Sequence, residues 1–159
     1  MKEVEGDIWE LSRNAYMTVT TNGYVNRKGQ CVMGRGIALE VAQRWPQIPL
    51  ELGHLVQMHG NHVYDLIEYH SAENFVRVWR RLFSFPVKHT WSEPADLRLI
   101  RRSAEELVVL LAQLKQSGVK RKVYMTRPGC GNGRRTWEEV KPILAPILDD
   151  RFIIVEKNP

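Results

Sequence analysis

The sequence predicts an α/β fold, a mixed central sheet with helices on both faces. Three observations predict it. Segments rich in β-branched and aromatic residues alternate with segments whose apolar residues recur every three or four positions. The chain has 159 residues, a length that suits one domain. No internal repeat, low-complexity tract or Pro/Gly/Ser linker divides it, so residues 1–159 are expected to form a single domain.

The elements follow in order. A short N-terminal strand precedes Asp7. Ala15 to Thr20 (AYMTVT) reads as a strand because β-branched and aromatic side chains dominate it. Gly36 to Trp45 places Ile37, Ala38, Val41, Ala42 and Trp45 on one helical face, and Pro46 stops that helix. Leu50 to Met58 reads as a further helix. Val63 to Tyr69 and Phe75 to Val87 read as strands joined by a short polar turn. Ala95 to Ser117 has Leu97, Ile100, Ala104, Leu107, Leu111 and Leu114 at helical spacing, with Gly118 as its C-terminal cap. Lys122 to Arg127 reads as a strand. Thr136 to Leu148 reads as a helix opened by a Thr136/Glu139 capping box and made irregular by Pro142. Arg151 to Glu156 closes the series as a buried strand.

Apolar residues make up 43% of the chain and charged residues 26%. That balance builds a core without a disulfide framework or a structural metal. Cys31 and Cys130 form no CxxC pair, which argues against a zinc site. No apolar run approaches the ~20 residues that span a bilayer. Met1 to Asp7 carries mixed charge and does not read as a signal peptide, so the expected compartment is the cytoplasm and no membrane partner is expected. The net charge of +5 favours partners rich in phosphate. It does not separate a nucleic acid from a nucleotide.

Two glycine-rich segments carry the chemistry. The first is Val32-Met33-Gly34-Arg35-Gly36-Ile37-Ala38, which opens a helix. The second is Pro128-Gly129-Cys130-Gly131-Asn132-Gly133, between a strand and the helix near Thr136. Glycine lets the backbone approach a ligand closely, and free amides at a helix start favour an anion. One loop suits one phosphate. Two, at the carboxyl ends of sheet strands, suit a diphosphate held between them. Neither is the dinucleotide fingerprint, since Leu39 stands where a third glycine is needed, and neither continues as Gly-Lys-Ser/Thr.

Other candidates are single residues. Asp7 reads as a turn or cap aspartate, or as an acceptor for an amino group such as adenine N6. Asn22, in Asn22-Gly23, reads as a turn residue or as an amide facing a sugar hydroxyl. Lys88 ends an apolar strand, where it is either solvated or held at the crevice to position or attack a substrate. His54, His59 and His62 match no zinc spacing and read as a polar surface turn, while His70 and His89 carry no readable role; no metal ligand set and no cofactor is assigned. Arg80-Arg81, Arg101-Arg102 and Lys120-Arg121-Lys122 read as solvated ends, and Arg35 and Arg134 as a phosphate-facing rim. The five tryptophans read mostly as core, with Trp9 and Trp137 near enough to the crevice to cover a ligand.

With these motifs assembled, nearly the whole chain resembles the macro domain family. Glu5-Gly6-Asp7-Ile8 is similar to its opening Gly-Asp-Ile element, and the two glycine segments, with Trp137 and Val140 beyond, are similar to its two phosphate loops. Met33-Gly34-Arg35-Gly36-Ile37-Ala38 and Phe85-Pro86-Val87-Lys88-His89-x-Trp91 look most like the branch with terminal ADP-ribose protein glycohydrolase and the antitoxin macro domains that remove ADP-ribose from DNA. The resemblance implies a three-layer α/β/α macro domain that binds ADP-ribose or an ADP-ribosylated macromolecule, a nucleic acid among the modified substrates. It implies that Asp7 and the Ile8 backbone hold the adenine, and that the loops hold the diphosphate and distal ribose. Asn22 then sits by that ribose, and Lys88 takes the lysine position implicated in hydrolysis at C1″. In the protein glycohydrolase an acidic residue stands where this chain has Gly133, and Val19 occupies the first place of the family's Asn-x-x-Asn pattern if Asn22 is its second. The functional alternatives are a hydrolase of C1″ linkages, a non-catalytic ADP-ribose reader, an ADP-ribose 1″-phosphate phosphatase, and a nucleic-acid-binding module using the basic surface.

Overall fold

The computed structural model describes residues 1–114 and 121–159. The elements run β1 (Lys2–Glu5), α1 (Ile8–Leu11), β2 (Ala15–Asn22), α2 (Gly36–Arg44), α3 (Ile48–His59), β3 (Asp65–Glu73), β4 (Val76–Lys88), α4 (Leu97–Gln113), β5 (Val123–Thr126), α5 (Trp137–Leu144) and β6 (Phe152–Glu156). The six-stranded sheet has the order β1-β6-β5-β2-β4-β3. β3 pairs antiparallel with β4, and the other neighbours are parallel. The mixed sheet expected from the sequence is therefore present.

Strand pleating sorts the core into two layers. Met17, Val19, Leu82, Tyr124, Ile153 and Val155 face α1, α2 and α3. Phe83, Phe85, Val87, Val123, Met125, Phe152 and Ile154 face α4 and α5. Alternate residues of β5 and β6 serve opposite faces, which is why those strands read as continuous apolar runs. The α/β/α sandwich follows.

Several boundaries move for physical reasons. α1 has a single turn, too short to show periodicity, and Asp7 caps it by accepting from the Trp9 amide at 2.8 Å. α4 begins at Leu97 because Asp96 accepts from the amides of Arg98 (2.8 Å) and Leu99 (3.4 Å). Its expected run to Ser117 and the Gly118 cap lie outside the described residues. The Thr136/Glu139 capping box is formed, and α5, with Pro142 inside it, ends at Leu144 instead of Leu148. The β3–β4 turn is Asn74-Phe75, both at positive φ, and Phe75 is fully exposed.

One basic pair departs from a solvated reading. Arg80 is only 1% exposed. Its guanidinium is satisfied by Glu73 Oε1 (2.7 Å), Ser12 Oγ (3.3 Å) and the Trp9 carbonyl. A buried cation is tolerable when each donor finds an acceptor. This one joins β4 to α1 and to the Glu73 end of β3.

The segment that leads into the first glycine loop is clamped by α3. Gly53 lies so close to it that an added Cβ would stand 2.0 Å from the Gly29 carbonyl oxygen, and the Cys31 amide donates to the Pro49 carbonyl at 2.8 Å. Gly53→Ala is expected to lower unfolding free energy by roughly 2–3 kcal/mol, because the backbone contact must open. Urea denaturation of the two proteins measures the difference.

Candidate functional site

Both glycine segments leave strands that are neighbours, β2 and β5. From β2 the chain proceeds to β4 and β3 on one side of the sheet, and β5 is followed by β6 on the other. Strand order reverses at that point, which leaves a crevice at the carboxyl ends. A cleft of about 860 Å³ opens there, within the size range of small-molecule sites. Its floor is Thr20, Thr21, Asn22, Val87, Lys88, Thr126, Arg127, Val155 and Glu156, and its two walls are Met33–Ala38 and Gly129–Arg134.

The first wall ends in the N-terminus of α2. Gly36 opens the helix at φ +56°, a conformation that side chains disfavour. The amides of Gly34 and Arg35 have no hydrogen-bond partner among the described residues. Asn22 holds this wall to the strand end. Its Nδ2 donates to the Val32 carbonyl and its Oδ1 accepts from the Tyr24 amide, both at 2.9 Å. A register shift between Thr21 and Asn22 sets Asn22 opposite Lys88.

The second wall folds back on itself. The Arg134 amide donates to the Gly131 carbonyl (3.1 Å) and the Arg135 amide to Gly129 (2.9 Å). The amides of Gly131, Asn132 and Gly133 take no partner among the described residues. Unpaired successive amides in a turn form an anion-binding concavity. A Cβ at Gly133 would lie 2.5 Å from the Gly129 carbonyl oxygen, whereas at Gly131 it would meet nothing within 4 Å. The loop therefore leaves no room for a side chain at position 133 and leaves it at position 131.

Lys88 lies at the floor, 6% exposed. Its Nζ donates to the carbonyls of Asn132 (3.0 Å) and Trp91 (3.4 Å). Burial pushes its pKa below the ordinary lysine range, and the charges of Arg134 and Arg35 add to the effect. Cations dominate the lining: Arg35, Lys88, Arg127, Arg134 and Lys157 face one carboxylate, Glu156, which Arg127 binds at 2.8 Å. Burial lifts the Cys130 thiol to about 11, so it stays protonated at neutral pH and is not a nucleophile there.

The cleft thus brings together Asn22, Met33 to Ala38, Lys88 and Gly129 to Gly133. It does not include Asp7, Ile8 or Pro128 in its lining. Pro128 is buried beneath the second wall. Asp7 lies one residue beyond Gly6, whose amide donates to the Glu156 carbonyl at 2.9 Å, so it flanks the β6 end of the cleft. Trp9 and Trp137 do not line it. Trp9 is buried beneath the guanidinium of Arg44, 3.8 Å from its ring centroid, and Trp137 donates from Nε1 to Glu3 at 2.6 Å. The aromatic residue at the cleft is Trp91, and Ser92, Thr126, Arg127, Val155, Glu156 and Lys157 join the lining without having been singled out. Their signal was positional: each follows or ends a parallel strand.

A three-layer α/β/α domain with an amide-walled cationic cleft at its switch point is the class that fold and site define. The solved structures it resembles give that class a name. Over 99% of this chain, the macrodomain of Mycobacterium tuberculosis DarG superposes with a TM-score of 0.70 at 21% identity, 97% of that chain being covered. The macrodomain of Thermus aquaticus DarG gives 0.72 at 22% identity, with 97% of that chain covered. Thermosipho africanus DarTG, solved in complex with ADP-ribose, gives 0.72 at 19% identity over 42% of its chain. The chain has the macrodomain fold. No family model and no curated protein matches its sequence.

Gly131 and Gly133 differ in the room the loop leaves a side chain. Gly131→Glu is expected to fold with a melting temperature near that of the original chain and to lose any stabilisation by ADP-ribose. Gly133→Asp is expected to lower the melting temperature even without ligand. Thermal melts with and without ADP-ribose read both outcomes.

Proposed function

We propose that the chain binds ADP-ribose in this cleft and hydrolyses linkages at its C1″ carbon. The observation that carries the proposal is the pair of amide walls on adjacent strands, which suits a bridged diphosphate. The cationic lining supports the same reading, as does the fold shared with DarTG, whose structure holds ADP-ribose. In this reading Asp7 and the Ile8 backbone hold the adenine at the β6 end, the walls hold the diphosphate, and the distal ribose reaches Asn22 and Lys88.

The chemistry then falls to few groups. Asn22 shapes the first wall through its two backbone hydrogen bonds and sits by the distal ribose. Lys88 acts at C1″, engaging the anomeric carbon or orienting the leaving group. Its depressed pKa enlarges the fraction of free amine near neutral pH. Water replaces the acceptor at C1″: its oxygen bonds the carbon, the acceptor leaves with the bonding electron pair, and the proton lost by the water ends on the departing acceptor. Fixed amides and guanidinium groups hold the diphosphate without reorganising as charge develops.

A second reading, an ADP-ribose reader without turnover, is favoured by one observation. Glu156 is the sole carboxylate among the described lining residues, and Arg127 occupies it. Among the described lining residues no carboxylic acid is free to protonate a poor leaving group. A nucleic acid carrying ADP-ribose fits the basic balance of the chain as substrate in either reading. Among the described residues no helix is long and apolar enough to cross a membrane.

Calorimetry with ADP-ribose, ADP, AMP and NAD is expected to rank ADP-ribose first. Lys88→Ala is expected to slow release of ADP-ribose from an ADP-ribosylated substrate by roughly 10²-fold or more. Turnover by the original chain should rise with pH to a plateau reached below the ordinary lysine range, because the free amine is the active form and burial lowers its pKa. Binding without turnover by the original chain selects the reader. Unchanged turnover in Lys88→Ala removes the lysine from the chemistry.

A further inference from the structure

Glu156 is the feature that the binding reading does not absorb. A carboxylate opposes a diphosphate, yet this one stands in the lining of a cleft dominated by cations. It ends β6, and Arg127 follows β5 in the parallel register that pairs Thr126 with Val155. The two side chains therefore meet at the ends of adjacent strands. Arg127 grips the carboxylate as a fork, Nη1 on Oε1 and Nη2 on Oε2, each at 2.8 Å.

The fork is itself held. Arg127 Nη2 lies 3.8 Å from Glu3 Oε1. Glu3 accepts in turn from Trp137 Nε1 at 2.6 Å and from Lys141 Nζ at 2.5 Å. The Arg127 guanidinium also stands over the Trp137 ring, 5.3 Å from its centroid. Glu156 is thus fixed through β1, β5 and α5 and has little freedom to swing away. Its side chain is nevertheless 48% exposed. An ionised carboxylate has about four lone-pair sites. The fork takes one on each oxygen, and the rest remain for a donor in the cleft.

The donor follows from position. In the ADP-ribose reading adenine lies at the β6 end beside Asp7, and the Gly6 amide ties that end to Glu156 through the Glu156 carbonyl at 2.9 Å. The diphosphate lies between the walls that leave β2 and β5. The adenosine ribose joins adenine to diphosphate, so it passes the junction of β6 and β5, where Glu156 stands. That sugar offers two vicinal hydroxyls. In doubly wound dinucleotide sites an acidic side chain takes a ribose 2′-hydroxyl, and an arginine takes its place where a 2′-phosphate is bound.

We propose that Glu156 accepts hydrogen bonds from the 2′- and 3′-hydroxyls of the adenosine ribose and selects against ligands phosphorylated at the 2′ position. The inference rests on the ADP-ribose reading of the cleft and adds to it a choice between ADP-ribose and its 2′-phosphate. Glu156 is a specificity-determining residue, acting on the adenosine half from a strand three places away from the one that carries Lys88.

The test is calorimetry at low salt with ADP-ribose, ADP-ribose 2′-phosphate and ADP-ribose lacking the adenosine 2′-hydroxyl. The proteins are the original chain, Glu156→Gln and Glu156→Ala. The original chain is expected to bind ADP-ribose about tenfold or more tightly than the 2′-phosphate. Both variants are expected to narrow that ratio about tenfold, because Arg127 and Lys157 are then left to the added phosphate. The 2′-deoxy ligand is expected to bind the original chain several-fold more weakly than ADP-ribose, and Glu156→Ala as well as ADP-ribose does. No preference against the 2′-phosphate in the original chain overturns the proposal, and so does a preference that survives in both variants. If the original chain binds none of the three ligands, the reading of the cleft falls and this selection falls with it. Binding of ADP-ribose without discrimination removes the role of Glu156 alone. Glu156→Gln keeps the shape of the side chain, and melting temperatures confirm that each variant is folded.

Discussion

Backbone amides without an intramolecular partner must be satisfied by water or by a ligand, and this chain collects such amides on two facing walls. The constraint behind that arrangement is topological. β2 and β5 are neighbours in the sheet although about a hundred residues separate them in sequence, a distance that only the doubly wound order of strands closes. Each then turns at glycine into a loop that helps line one cleft. Neither wall alone would grip more than a single phosphate. The Gly53 contact, the Asn22 bonds and the Gly133 close approach all serve to hold those walls in place.

Most of the fold was legible because its cues are local. Apolar spacing marked α2 and α4, β-branched runs marked β2 and β6, and the Thr136/Glu139 box marked the start of α5. What escaped were features set by tertiary contact. α1 is too short for periodicity to register. Arg80 looks like any strand arginine until Glu73, Ser12 and Trp9 surround it. Among site residues, the two glycine loops, Lys88 and Asn22 were visible as motifs and do meet in one cleft. Trp9 follows Asp7 and Trp137 follows the second loop in sequence, but their indoles turn into the core and onto Glu3. Trp91 stood in the sequence as the last residue of the Phe85–Trp91 motif, and its place in the cleft lining follows from the packing of the loop after β4 against the second wall.

The site's chemistry is set by what surrounds Lys88. Two carbonyls fix its ammonium, burial weakens its hold on the proton, and the neighbouring guanidinium groups push in the same direction. The glycine at position 133 is a steric requirement of the loop. Cations and unpaired amides dominate the cleft, and its one carboxylate among the described lining residues, Glu156, is held by Arg127.

The central claim is that both walls act together on one diphosphate. Amide chemical shifts followed through an ADP-ribose titration test it most directly. The account predicts that the backbone signals of Gly34 to Ile37 and of Gly131 to Gly133 move together, along one binding curve. Movement of one wall alone, or of neither while other surfaces respond, would contradict it.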